Sequence, residues 1–100
     1  MFGLSDDVIH EIQDIFRKHK NIRKVLIFGS RSKGNYREGS DIDLAAIGDN
    51  IDLNQILDVS MEIDDLGLLY HVDLINYEKF KGTPLAKHID RIGQVFYAAS

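Results

Sequence analysis

The apolar residues of this chain change their spacing several times, and each change marks a new element. Val8, Ile9, Ile12, Ile15 and Phe16 recur every three or four residues, which predicts an amphipathic helix from Ser5 to about His19. Ser5 or Asp6 is its expected N-cap, with acids in the first turn. Lys24 to Phe28 is a short β-rich run that Gly29 ends, so a strand and then a turn. Residues 29–40 hold three glycines and three bases and read as a loop with at most a short helical turn. Asp41 to Ile47 is a second strand, stopped by Gly48-Asp49-Asn50. A second helix is expected from Asp52 or Leu53 to Asp65, with Leu53, Ile56, Leu57 and Met61 as its apolar stripe and Gly67 beyond its end. Tyr70 to Asn76 is the third strand. Thr83 and Pro84 then open a last helix as N-cap and N1, with Leu85, Ile89, Ile92, Phe96 and Ala99 along its buried face. The order α-β-β-α-β-α places the chain in the α/β (α+β) class, a small mixed sheet with helices packed on it.

At 100 residues the chain is expected to form one domain over residues 1–100. A domain of this size buries about 60–70% of its unfolded surface, enough for a core but not for a deep pocket, so a substrate site should be an open groove. There is no cysteine, hence no disulfide framework or thiolate metal site. No apolar run approaches the ~20 residues that span a bilayer. The start, Met1-Phe2-Gly3-Leu4, has neither the basic nor the apolar region of a signal peptide, and a cytoplasmic location without membrane association is expected.

Charge is strongly segregated beneath a net value of −4. Residues 1–16 carry four acids and no base, residues 17–37 eight bases and no acid, and residues 38–78 eleven acids and no base. That balance argues against a basic coat for nucleic acid and suits a site where a cationic loop meets an anionic cluster.

Three of the sixteen acids stand out. Asp41 and Asp43 flank Ile42 on a predicted strand, so both point to one face while Ile42 and Leu44 point to the helical layer. Asp73, between Val72 and Leu74, is turned outward by the same alternation. If the second and third strands are neighbours, three carboxylates share one exposed face. Such anions repel one another unless a cation lies among them, which implies a divalent metal, and hard oxygen ligands favour Mg²⁺. Directly after the first strand, Gly29 permits a tight turn and Ser30 adds a hydroxyl beside its N–H, a combination able to hold terminal phosphates, with Arg31 or Lys33 neutralising charge. Carboxylate-held metal and a phosphate-gripping turn together suit phosphoryl transfer. No P-loop motif is present.

Gly29-Ser30, ten residues, then Asp41-Ile42-Asp43-Leu44 resembles the signature of the DNA polymerase beta-like nucleotidyltransferase superfamily. This spacing arises by chance in about one 100-residue chain in a thousand, so the match is specific. Gly34, Ser40 and Val72-Asp73-Leu74 also fit. Larger relatives append an acceptor-binding domain, and this chain instead resembles the minimal nucleotidyltransferases, which act as antitoxins beside an all-helical HEPN-family partner. The resemblance implies transfer of AMP from ATP to a hydroxyl of that partner, with two Mg²⁺ ions during turnover. It implies Gly29 and Ser30 as the triphosphate-binding turn, Asp41 and Asp43 as metal ligands, and Asp73 as a third ligand and candidate base. Arg31 and Lys33 would complete the nucleotide site. The alternative is a non-catalytic nucleotide-binding subunit that acts by docking to the partner.

Other polar residues read as structure. His10, His19, His71 and His88 lack metal-ligand spacing, although His71 shares the Asp73 face. Arg17 to Lys24 suits the C-terminus of a helix. Tyr36 is either an exposed loop side chain or a platform for a base. Tyr77, Phe80, Phe96 and Tyr97 are expected in packing, with apolar surface left on the terminal helix as a partner interface.

Overall fold

The computed structural model describes residues 1–37 and 39–100; Glu38, part of the acidic block, lies outside them. Helix α1, Asp6–Arg17, begins where the Ser5 hydroxyl accepts the Val8 N–H, with Asp6 and Asp7 in its first turn, and it buries Ile12, Ile15 and Phe16. Strand β1, Ile22–Phe28, leads through Gly29 into the single helical turn α2, Ser30–Lys33. Strand β2, Ile42–Gly48, is followed by helix α3, Leu53–Asp64, whose N-cap Asp52 accepts the Gln55 N–H at 2.8 Å. Strand β3, Val72–Asn76, passes through a 3-10 turn, Tyr77–Phe80, to helix α4, Pro84–Ile92, and the chain ends in strand β4, Gln94–Ala98.

The sheet runs β3-β2-β1-β4. β1 is antiparallel to both β2 and β4, and β2 is parallel to β3, joined to it by α3. This is the mixed sheet expected from the sequence. One face carries Val25, Ile27, Ile42, Leu44, Ala46 and Leu74 against α1 and α3, the main core. α4 packs against β1 on the other side, burying Ala86 and Ile89. Asp43 and Asp73 lie on that second face by strand alternation, beyond what α4 covers. No helix of the described residues is long and apolar enough to cross a membrane.

Two expectations change. The last helix stops at Ile92, and the chain continues as β4, so Phe96 is buried from a strand and Ala99 is exposed. The apolar spacing that carried the helix onward is coincidental: Gly93 leaves the helix in extended conformation, φ −65° and ψ 141°, and the chain after it satisfies the open edge of β1. The stripe on α3 also differs. Its core face is Ile56, Val59 and Ile63, while Leu53, Leu57 and Met61 face solvent. Both sets have helical spacing, and only the sheet beneath decides between them.

The ends of α1 and α3 are tied by charge. Glu62 accepts from Lys18 Nζ at 3.2 Å and pairs with His19 Nε2 at 2.9 Å. The hydrogen bond from His19, then Lys18, holds its carboxyl below the usual value of 4.5. A lowered folded value means stability that is present above the unfolded value and lost as pH falls through the folded one. Glu62→Gln should therefore cost less than about 1 kcal/mol near pH 6, and the difference from the parent should vanish near pH 3 in urea titrations. At Gly93 a Cβ would meet the Ile89 carbonyl oxygen at 2.5 Å. Gly93→Ala should destabilise the chain by about 1–3 kcal/mol in the same assay.

Candidate functional site

The pairing of β1 with β2 sets Phe28 opposite Asp43, which brings the residue after Phe28 beside the Asp43 carboxylate. That residue is Gly29, at φ 80° and ψ −155°. A Cβ there would stand 2.5 Å from Asp43 Oδ2, and the backbone angle favours glycine. The turn that follows is pinned from two sides. Ser32 Oγ donates to the Gly29 carbonyl at 3.2 Å, and Gln94 Nε2, at the start of β4, donates to the Ser32 carbonyl at 2.6 Å. Ser30 is half-buried at the head of this turn and Lys33 is exposed at its end.

On the other side of β2, Asp43 and Asp73 are direct partners in the parallel ladder. Neighbouring strands lie about 4.8 Å apart, so their carboxylates are adjacent. Asp41 is exposed just before β2 begins. Burial pushes the Asp43 carboxyl above its usual 3.8, and the negative charges of Asp73 and then Asp41 push it further. His71 Nε2 pairs with Asp73 Oδ1 at 2.9 Å, and this hydrogen bond raises the imidazole above its usual value. The strand spacing of His71 and Asp73 was visible in the sequence; their contact was not.

The donor chemistry fits a hard divalent cation. Carboxylates dominate the face, and their mutual repulsion at Asp43 is what a cation would relieve. Among the described residues, no three His, Asp or Glu side chains are already gathered closely enough to hold a metal ion. Those available are Asp41, Asp43 and Asp73.

Arg31 is not where a phosphate clamp would be. Its side chain is turned inward and the residue is 3% exposed. Nε donates to the Ser40 carbonyl at 3.0 Å and Nη1 to the Phe2 carbonyl at 2.9 Å. The guanidinium carbon lies 5.2 Å from the Tyr36 ring centre and 4.8 Å from that of Tyr70. Tyr36 is thereby occupied by Arg31 and by close contact with Gly3, which accounts for it without a base. The roles of Tyr70 and Gln94 were missed, because nothing in their local sequence marks them as partners of a loop so distant along the chain, 62 residues away for Gln94. A groove of about 770 Å³ opens at the opposite ends of β2 and β3, lined by Gly48 to Leu53, Asn76, Glu78 and Lys79, remote from the carboxylates.

The model of the family described as "Polymerase beta, Nucleotidyltransferase" matches residues 10–100. A protein of Methanocaldococcus jannaschii whose name proposes protein adenylyltransferase activity is 38% identical over 42 residues. That stretch is 42% of this chain and spans only 41% of the relative's length. Among solved structures, a chain in the crystal structure of a toxin-antitoxin with AMP-PNP superposes with a TM-score of 0.75 at 21% identity, over 92% of this chain and 74% of that one. A chain in the structure of a tri-AMPylated Shewanella oneidensis HEPN toxin with MNT antitoxin gives 0.71 at 18% identity, over 96% and 74%. At these identities the likeness is one of fold.

The raised Asp43 value carries a stability consequence. A carboxyl raised by folding binds its proton more tightly in the folded state, so its ionised form opposes folding once pH exceeds the folded value. Asp43→Asn should raise stability at pH 7 by about 0.5–1 kcal/mol, with the gain shrinking as pH falls into the carboxylate range, measured by thermal melts across pH.

Proposed function

The chain belongs to the polymerase beta nucleotidyltransferase family, and from that membership we propose that it is one catalytic domain, residues 1–100, that transfers AMP from ATP to a hydroxyl of a protein partner. The observation that carries this is the contact of Gly29 with the Asp43 carboxylate, with Asp73 beside it in register. The turn after β1 and these two carboxylates then lie side by side, an arrangement that suits phosphoryl transfer. The partner's chemistry is that of a HEPN-like helical toxin, neutralised by the modification. This is supported by the shared fold with chains from toxin-antitoxin structures, one holding AMP-PNP and one an AMPylated toxin.

Asp41, Asp43 and Asp73 would hold Mg²⁺, with two ions during turnover. When bound, the metal would supply positive charge against the phosphates and the attacking hydroxyl. Gly29 lets the β- and γ-phosphates approach the backbone, the Ser30 hydroxyl donates to a phosphate oxygen, and exposed Lys33 supplies positive charge. Arg31 is withdrawn from phosphate contact in this assignment. Asp73 accepts the proton of the acceptor hydroxyl. The acceptor oxygen forms its bond to the α-phosphorus as the bond to the bridging oxygen breaks, and pyrophosphate departs with that electron pair.

The solvent-facing Leu53, Leu57 and Met61 favour a second element, docking, and the rival reading in which docking alone neutralises the partner. The two part on one variant. With α-labelled ATP, Mg²⁺ and a purified HEPN-like partner, the parent chain should label the partner, and Asp43→Asn should reduce labelling by at least about 10³-fold while remaining folded. Labelling retained by Asp43→Asn overturns its assigned role. Absence of labelling by the parent, together with full neutralisation by both proteins, establishes the docking subunit instead.

A further inference from the structure

We propose, building on that transfer reaction, that Arg31 is a positioning residue: its buried guanidinium holds the phosphate turn, the Asp41 arm and the Asp73 strand in one geometry. Its own position and two of its contacts lie close in sequence to site groups. Arg31 itself follows Ser30. Its Nε holds the carbonyl of Ser40, which precedes Asp41. Its charged plane lies over the ring of Tyr70, which precedes His71 and stands three residues before Asp73. The opposite ends of the device are anchored as well, by the Phe2 carbonyl on Nη1 and by the Tyr36 ring.

The choice of side chain follows from this arrangement. A guanidinium offers donors in a rigid plane and a flat face for aromatic rings, whereas an ammonium offers a point charge that cannot serve both directions at once. The site needs such a brace because the arm that bears Asp41 lacks regular pairing. Asp41 stands outside β2, and the residues between α2 and β2 contain no strand or helix among those described. Arg31 holds that arm through its backbone and leaves the carboxylates free for a cation.

The test compares the full chain with Arg31→Lys, which preserves charge, and Tyr70→Leu, which removes one stacking face and retains both hydrogen bonds. Two-dimensional amide NMR without nucleotide should show the signals of Asp41 and Asp73 shifted or broadened in both variants, with those of Asp49 and Asp52, at the far end of the sheet, in place. In the labelling assay kcat should fall at least 10-fold while KM for ATP changes less than 3-fold. Lys33→Ala should do the reverse and raise KM for ATP. A raised KM for ATP with unchanged kcat in Arg31→Lys makes it a phosphate ligand and overturns the proposal. Unmoved Asp41 and Asp73 signals overturn it equally. If the parent chain transfers nothing, the activity reading fails while the NMR comparison still decides the role of Arg31. Should Arg31→Lys fail to fold, Tyr70→Leu carries the same two readouts.

Discussion

The antiparallel pairing of β1 with β2 is the constraint on which the rest of this molecule depends. Its register sets Phe28 opposite Asp43 and so presses the glycine after Phe28 against a carboxylate. The same pairing gives β2 one face of Ile42, Leu44 and Ala46 for the core and another bearing Asp43. A slip of one residue would exchange those faces, exposing the apolar set and burying the acid. The core and the site are therefore specified by one ladder, and neither can be altered without the other.

The energetics of the two faces oppose each other. Apolar burial beneath α1 and α3 supplies the stabilisation. On the other face the protein keeps acidic groups adjacent, with Asp43 held above its usual pKa by burial and by its neighbours. That is unfavourable in the free protein and is the kind of perturbation found where a functional group is placed. Polar attachments restrain the segments this repulsion would disperse: Ser32 and Gln94 on the turn, Arg31 on the arm, His71 on Asp73. Among the described residues, no buried side-chain polar atom lacks a partner, so these restraints are obtained without stranding a donor or acceptor.

The edges of the sheet play different parts. β3 contributes Asp73, and its parallel pairing with β2 aligns the two acids directly. β4 lies at the other edge, yet it reaches the site through Gln94, whose side chain fixes α2. A strand added after the last helix thus completes the edge of β1 and steadies the turn at Ser30–Lys33.

Local sequence determined the first three strands, the caps at Ser5, Asp52 and Thr83, and the acidic face, because these depend on alternation and on side chains hydrogen-bonding within three residues. The Gly29-Ser30 and Asp41-Ile42-Asp43 spacing was legible for the same reason, each motif being a short stretch whose chemistry is carried in its residue types. Tertiary structure alone decided three matters. α3 carries two apolar stripes of helical spacing, and the sheet selected Ile56, Val59 and Ile63 over Leu53, Leu57 and Met61. Residues Gln94–Ala98 continue a helical spacing but become a strand, because β1 offered unpaired backbone groups at its edge. Arg31, a base in a cationic loop, reads from sequence as a phosphate ligand. Its inward course is set by carbonyls and rings from residues 2, 36, 40 and 70, which come together only when the chain has folded.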